Sequence, residues 1–416
     1  MPTFLEIEHQ RFEFSNNNFS NLLPNPNWAT LPLFDRSGWQ RVRFGDVVEN
    51  CNETCDPAEA GLERFIAMEH LEPGSLHVRA WGNVADGTTF TRRCQPGQVL
   101  FGKRRAYQRK VAVAEFEAVV SGDIYVLAPK DAQRLLPDLL PFICLSERFF
   151  QHAVGTSAGS LSPRTNWSSL ASFEFDLPPL DQQRRIAEIL WAVDEVLNEN
   201  LVLLSTSKSA STTYIDSFLS NAITMYKTVT LGELIIGKQK YGANAPAVTL
   251  RQGMPRYIRI TDIDDQGQLI YDEAMGVELD ATIIKSYTLN DGDILIARTG
   301  NTVGKSFLYY SSNGPCVYAG YLIRFQPDKK KILPEYLFAV TKSSYYRSWL
   351  ENTIRVGAQP NVNGAEYASM PVPLHPLDSQ KHHLAELANL SAIIKNSEAN
   401  LSAIRHINTL ILNSIF

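Results

Sequence analysis

The feature that most constrains this chain is that it repeats itself. Phe175–Leu190, FDLPPLDQQRRIAEIL, returns as Val372–Leu387, VPLHPLDSQKHHLAEL. Pro179-Leu180-Asp181 aligns with Pro376-Leu377-Asp378, an offset of 197 residues (378 minus 181). Five upstream blocks also recur in the same order: Val42–Glu49 with Val229–Ile236, Arg64–Gly74 with Arg256–Gly267, Cys94–Ala106 with Leu289–Asn301, Ser121–Lys130 with Ala319–Lys329, and Leu135–Gln151 with Ile332–Ser348. Chance similarity does not preserve order. The 416 residues are therefore a tandem duplication, each unit roughly 190 residues, large enough for its own core.

Within a unit the first two-thirds is strand-rich. GQVLFG, KVAVAEF and GDIYVLA in the first unit, and DILIART, KSFLYY and YLIRF in the second, are short β-branched or aromatic runs bounded by Gly, Pro, Asn or Asp. One helix is expected after Pro137 and one after Pro334. A Gly/Ser/Asn-rich loop follows, VGTSAGSLSPRTN or VGAQPNVNG, then a final strand, SFEFDLP or ASMPVPL.

After Asp181 the period changes. Ile186, Leu190, Val193, Leu197, Asn200 and Leu204 step by four and three, and the line continues through Ser207, Ser211, Tyr214 and Phe218. After Asp378 a second seam runs through Leu387, Leu390, Ile394, Leu401, Ile404, Asn408 and Ile411, with Ser397 as its interruption. Each run lacks Gly and Pro for about 40 residues, long enough for a helix near 60 Å. Asp181 and Asp378 are expected as N-caps. Two seams of equal length most economically pack on each other, with Asn200 and Asn408 suited to setting register.

The block PLDQQRRIAEIL, its copy PLDSQKHHLAEL and the duplicated strand-rich halves resemble the specificity (S) subunit of type I restriction–modification systems. The resemblance runs from about Trp39 onward. In the second copy His383 and Leu384 replace the usual Ile-Ala. The resemblance implies an α+β fold: two tandem strand-rich target-recognition domains, each followed by a long helix, the helices pairing as an antiparallel coiled coil. The expected boundaries are an N-terminal extension at 1–38, recognition domain 1 at 39–180, a central spacer helix at 181–225, recognition domain 2 at 226–377 and a C-terminal spacer helix at 378–416. Each domain would read one half of a split site on double-stranded DNA. The helices would space the halves and dock two methyltransferase subunits. S-adenosylmethionine, ATP and magnesium would belong to those methyltransferase subunits and to the restriction subunits, with no cofactor, metal or catalytic centre in this chain. A helix near 60 Å falls between one and two DNA turns of ~34 Å, which suits half-sites read from one face.

Net charge is −5, which alone disfavours a nucleic-acid binder, but a DNA footprint is local. Arg92–Lys110 holds Arg92, Arg93, Lys103, Arg104, Arg105, Arg109 and Lys110 without an acid, and Tyr107 lies among them. These residues suit phosphate contacts and a guanine edge. The second unit offers Arg298, Thr299, Gly300, Asn301 and Lys305 at the equivalent place, more polar and suited to base edges. The Gly/Ser/Asn loops add Ser157, Ser160 and Arg164, and Arg355, Gln359, Asn361 and Asn363. Arg256, Arg259 and Thr261 are either DNA contacts or exposed strand residues. The unequal halves imply an asymmetric target.

Other classes fit less well. GNTVGKS (Gly300–Ser306) has three residues between its glycines where a phosphate loop needs four. NPNW (Asn25–Trp28) lacks the second proline of an amino-methyltransferase tetrapeptide, and no Gly-rich cofactor strand follows it. Five scattered cysteines, with Cys51 and Cys55 unsupported as a zinc pair, point to a reducing compartment. His70, His77 and His152 form no ligand cluster. With no apolar span and no secretory leader, a cytoplasmic location away from membranes is expected. The alternatives are a single-chain nuclease or methyltransferase with a fused recognition module, and a helical scaffold that does not read DNA.

Overall fold

The computed structural model describes residues 36–270, 274–354 and 360–416. The chain divides into two compact units, 1–201 with 398–416, and 202–397. Of the N-terminal extension, Arg36–Gly38 are described; the rest, including the NPNW segment, lies outside the described residues.

Unit 1 opens with β1 (Gln40–Arg43), α1 (Phe44–Val47) and β2 (Val48–Asn50). Next come β3 (Arg64–Ile66), β4 (Gly82–Asn83), β5 (Arg92–Cys94), β6 (Val99–Gly102), β7 (Val111–Val113), β8 (Ala118–Val120) and β9 (Ile124–Pro129). Helices α2 (Leu140–Leu145), α3 (Glu147–Gly155) and α4 (Trp167–Ala171) follow, then β10 (Glu174–Leu177) and the long α5 (Leu180–Met225), whose residues from Val202 onward belong to unit 2. One sheet has the order β2-β9-β6-β7, another β4-β3-β8-β5, and β1 pairs antiparallel with β10.

Unit 2 repeats this plan. It runs β11 (Val229–Thr230), β12 (Lys240–Tyr241), β13 (Ala247–Thr249), β14 (Arg256–Ile258), β15 (Met275–Val277), α6 (Ala281–Tyr287), β16 (Ile294–Ala297), β17 (Ser306–Leu308), β18 (Cys316–Tyr318) and β19 (Leu322–Phe325). Then come α7 (Pro334–Val340), α8 (Ser344–Thr353), α9 (Gly364–Ala368), β20 (Pro371–Val372) and α10 (Leu377–Ile415), whose residues from Glu398 onward belong to unit 1. Its sheets are β12-β19-β16-β17 and β13-β15-β14-β18, with β11 on β20. The parallel pair β3·β8 of unit 1 has its counterpart in β14·β18.

The apolar strand runs have a physical reason. On β6, Val99 and Phe101 enter a core shared with the helices, while Leu100 enters a second core on the opposite face. On β16, Ile294 and Ile296 face one core and Leu295 and Ala297 the other. A sheet covered on both faces needs no polar alternation. Each such large side chain contributes roughly 1.5–3 kcal/mol by its burial.

The seam residues are the protected positions of the long helices. Ile186 and Leu190 are fully buried, and Leu197 and Leu401 nearly so. Within unit 1, Leu412 and Ile415 of α10 join the core that holds Ile186 and Leu190 of α5. Within unit 2, Phe218 near the end of α5 stacks on His383 near the start of α10, with ring centroids 4.7 Å apart. Each unit thus pairs the beginning of one helix with the end of the other, which makes the pairing antiparallel. Ser397, the interruption of the second seam, is 3% exposed; a small residue at a seam is buried like its larger neighbours.

Three sequence expectations need correction. The helices begin at Leu180 and Leu377, so Asp181 and Asp378 lie in the first turn rather than at the N-cap. The Pro179 and Pro376 carbonyls already accept from Gln183 and Gln380, and the aspartates favour the helix start through its dipole. The expected single helix after Pro137 or Pro334 is broken in two, because Ser146 and Ser343 turn the chain and cap α3 and α8. Short helices α4 and α9 precede the final strands, capped by Asn166 and Asn363.

Gln183, in the first turn of α5, ties this helix to the strand-rich part of unit 1. Its Oε1 accepts from the Leu136 amide at 2.9 Å, and its Nε2 donates to the carbonyls of Arg134 (2.9 Å) and Pro178 (2.8 Å).

Candidate nucleic-acid interface

Past Gly102 the chain leaves β6 through Lys103 and Arg104 into a tight turn at Ala106–Gln108. Arg105 and Arg109 bracket the turn in the left-handed region, at φ 52° and 55°. For a side chain this costs about 1–2 kcal/mol per residue. The Arg105 amide is held by the Pro163 carbonyl at 2.7 Å. Pro163 belongs to the Gly/Ser loop, and Arg104 pairs with Arg164 of the same loop. The Thr165 amide then donates to the Lys103 carbonyl at 3.1 Å.

The same connections recur in unit 2. The Gly300 amide donates to the Pro360 carbonyl at 2.9 Å, Thr299 pairs with Asn361, and the Val362 amide donates to the Arg298 carbonyl at 2.9 Å. In each unit the two candidate stretches, far apart in sequence, are therefore one loop-on-loop surface. Lys103 corresponds to Arg298, Arg104 to Thr299 and Arg164 to Asn361.

The basic stretch of unit 1 receives its counter-charges from elsewhere. Arg93 bridges Glu53 at 3.1 Å and Glu117 at 2.9 Å, and Arg92 donates to the Ile124 carbonyl at 3.0 Å. Arg104 and Arg164 share Asp123, at 3.5 and 2.7 Å. The Arg164 hydrogen bond, with Arg104 and Lys103 nearby, holds the Asp123 carboxyl below its usual range. Arg104 and Arg105 both reach Ser162 Oγ, at 3.0 and 3.4 Å. Arg109 pairs with Glu147 and lowers its carboxyl, and Lys110 donates to the Met68 carbonyl at 2.6 Å. Tyr107 stands out from the turn, 56% exposed. Ser160 is exposed, and Ser157 donates to the Ala153 carbonyl.

In unit 2, Asn301 and Asn361 are exposed and Thr299 half-buried. Lys305 is drawn inward to Asp265 (3.1 Å) and the Ile263 carbonyl (2.8 Å). Arg355 and Gln359 lie outside the described residues. Asn363 spends its side chain capping α9. Arg256 is buried rather than exposed on its strand and donates to the Ile270 carbonyl. Arg259 forks onto Asp262, and Thr261 is exposed. Among the histidines, His70 accepts from the Ala67 amide, His77 lies between Glu115 and Asp194, and His152 meets the Ser169 carbonyl.

Sequence reasoning passed over Asp123, Tyr125, Tyr241 and Tyr321. Lys103 Nζ lies 4.9 Å from the Tyr125 ring centroid, and the Arg298 guanidinium 5.0 Å from that of Tyr241. Ile124 faces Gly102 as Leu322 faces Ala297, so Asp123 and Tyr321 hold equivalent positions. The signal was present in the aligned SGDIYVLAPK and AGYLIRFQPDK blocks, where an acid in one unit stands opposite an aromatic in the other.

The profile of the type I restriction modification DNA specificity domain matches twice, at residues 36–202 and 223–405. The chain belongs to the type I restriction–modification specificity family. A curated relative, the type I restriction enzyme EcoDI specificity subunit of Escherichia coli, is 24% identical over 152 residues, which are 36% of this chain and 33% of the relative. The alignment thus spans about a third of that relative's length. The fold is similar to the type I restriction–modification S subunit of M. genitalium, with TM-score 0.56 and 15% identity over 91% of this chain and 96% of that one. A chain from a structural study of assembly and conformational transition in the type I system gives TM-score 0.55 and 17% identity over 91% and 97%. Within this family architecture, no group of three or more His, Cys, Asp or Glu side chains among the described residues is arranged to hold a metal ion. No described helix is long and apolar enough to cross a membrane.

Proposed function

We propose that this chain supplies the DNA sequence specificity of a type I restriction–modification complex, each unit reading one half of an asymmetric bipartite site. The observation that carries this reading is the loop-on-loop surface, built from the same backbone bonds in both units but with different side chains. Lys103, Arg104, Arg105, Tyr107, Arg109 and Arg164 present a charged surface in unit 1. Arg298, Thr299, Asn301 and Asn361 present a polar one in unit 2, with Lys305 behind them. Arg92, Arg93 and Lys110 support the first surface from its flank. A shared scaffold with different side chains suits two different half-sites.

The long helices serve as the spacer and as the dock for two methyltransferase subunits. Exposed Ile189, Val196, Val202 and Leu203 on α5, and Ile393, Ile407 and Leu410 on α10, support a protein-binding role. Methyl transfer from S-adenosylmethionine, and ATP- and magnesium-dependent translocation and cutting by restriction subunits, belong to the partners in the cytoplasm. Methylome sequencing of the host with and without this gene tests the reading. A bipartite methylated-adenine motif should vanish on deletion. A motif that persists, or methyl transfer by the purified chain alone, would overturn it.

A further inference from the structure

Of the described basic residues on the two loop surfaces, most are consumed by the protein: Arg104 and Arg164 by Asp123, Arg105 by Ser162, Arg109 by Glu147, and Lys305 by Asp265. Lys103 and Arg298 differ. Neither side chain makes a hydrogen bond or ion pair among the described residues, and each lies over a tyrosine ring. They occupy the same repeat position, immediately after β6 and β16.

Their surroundings are unequal. Lys103 has Asp123 beside it, whereas Arg298 has Tyr321 at that position. The Arg298 backbone is fixed on both sides: its amide donates to the Tyr321 carbonyl at 3.1 Å and its carbonyl accepts from Val362 at 2.9 Å. Its guanidinium lines an open depression of about 340 Å³ with Tyr241, Asn244, Tyr321, Gly242 and Gly320. Among the described residues no acid lines it, and Tyr241 and Tyr321 are 42% and 60% exposed. Its Nε is buried without a hydrogen-bond partner among the described residues.

We propose that Arg298 is the specificity-determining residue of unit 2 and reads a guanine through the O6 and N7 edge. A planar guanidinium lying over an aromatic ring, with no internal acceptor, is pre-oriented to donate two parallel hydrogen bonds, and guanine presents two adjacent acceptors in the major groove. Asn244 sits beside it as a second polar group for the neighbouring base. Lys103 is a point charge next to a carboxylate and lacks this geometry, so unit 1 does not share the guanine preference through that position.

The inference rests on the reading that the units bind DNA, and the test separates the two. The full chain is assembled with its methyltransferase subunits, and the methylated motif is determined for wild type, Arg298→Ala and Arg298→Lys. Arg298→Ala should make one G·C position degenerate in one half-site and leave the other half-site intact. Methylation of the original site should fall roughly 10- to 100-fold. Arg298→Lys should recover only part of this. With unaltered protein, 7-deazaguanine at that position of a synthetic site, which lacks N7 but keeps O6, should lower methylation by part of the loss seen with Arg298→Ala, which keeps the test independent of whether the variants fold. An unchanged motif in Arg298→Ala, uniform weakening at all sequences as expected of a phosphate-binding cation, or indifference of the wild type to 7-deazaguanine overturns this inference and leaves the proposed function standing. A wild-type complex with no bipartite motif overturns both.

Discussion

Gln380 Oε1 accepts the backbone N–H of Leu333 at 2.9 Å, joining the first turn of α10 to the residue just before α7. Its Nε2 donates to the carbonyls of His375 (2.8 Å) and Lys331 (3.3 Å). Gln183 holds the matching set in unit 1. The fifth residue of the repeated Pro-Leu-Asp-x-Gln segment is thus a latch between the strand-rich part of each unit and its long helix, and both copies are almost fully buried.

Gln380→Ala should therefore strand one buried amide and two carbonyls. A destabilisation of about 3 kcal/mol is expected, since each unpaired buried group costs roughly 1–3 kcal/mol and water reaches some of them. Urea denaturation checks this; a loss under about 0.5 kcal/mol, typical of a surface substitution, would mean that the latch does not hold the two elements together.

His383 stands where unit 1 has the buried Ile186. Its ring packs 4.8 Å from that of His375. The Nδ1 atoms of His383 and His375 meet the hydroxyls of Tyr214 (2.9 Å) and Tyr336 (3.0 Å). Burial first, then a neighbouring imidazole, holds both histidines below their ordinary value of 6.5. The unfolded chain then binds protons more readily than the folded one. Stability from this cluster is complete above 6.5 and declines as pH falls through the lower folded values. Comparing urea midpoints at about pH 7.5 and about pH 5.5 should show a larger acid loss in wild type than in His383→Ile. Equal losses would mean that the pair is not the sensitive element.

Gly304 is the second glycine of GNTVGKS. It has φ +86°, and a Cβ there would run into the Leu350 side chain. Its carbonyl accepts from Tyr346 Oη at 3.1 Å. Gly304→Ala should cost about 3 kcal/mol from left-handed strain and overpacking together. Thermal denaturation with no shift would show that the loop yields.

Arg104→Ala with Arg105→Ala should weaken binding to duplex DNA of any sequence. The slope of log affinity against log salt should become shallower by about 0.9 for each phosphate that the protein no longer neutralises. Asp123→Asn acts in the opposite sense, because it leaves Arg104 and Arg164 without their shared carboxylate. Fluorescence anisotropy titrations across salt concentrations distinguish the cases; identical slopes for wild type and both variants would turn this surface away from DNA.

The architecture was legible because it rests on local periodicity. The four-three spacing from Ile186 to Phe218 identifies the protected stripe of α5 without reference to any partner, and the doubly covered sheets follow from runs such as VLFG and ILIA. The N-cap assignment slipped by two positions, from Asp181 to Pro179, because Pro179, which offers no side-chain cap, already supplies the first helical carbonyl. The surface was harder to read. Arg92–Lys110 contains no acid, yet Glu53, Glu117, Asp123 and Glu147 arrive from segments outside it and pair with Arg93, Arg104 and Arg109, while carbonyls and a serine take up Arg92, Arg105 and Lys110. Which cation stays free depends on these distant pairings and on where Tyr125 and Tyr241 lie, and no spacing rule reports either.

The closing segment of α10 has a consequence for biosynthesis. Leu412 and Ile415 complete the core of unit 1, although the ribosome makes them after all of unit 2. At roughly 5–20 residues per second, the strands of unit 1 wait on the order of 20 s for these last side chains. During that interval the core of unit 1 lacks these side chains, and a premature stop within α10 would leave it incomplete, inviting chaperones and proteases even though the strands and loops of that unit are fully translated.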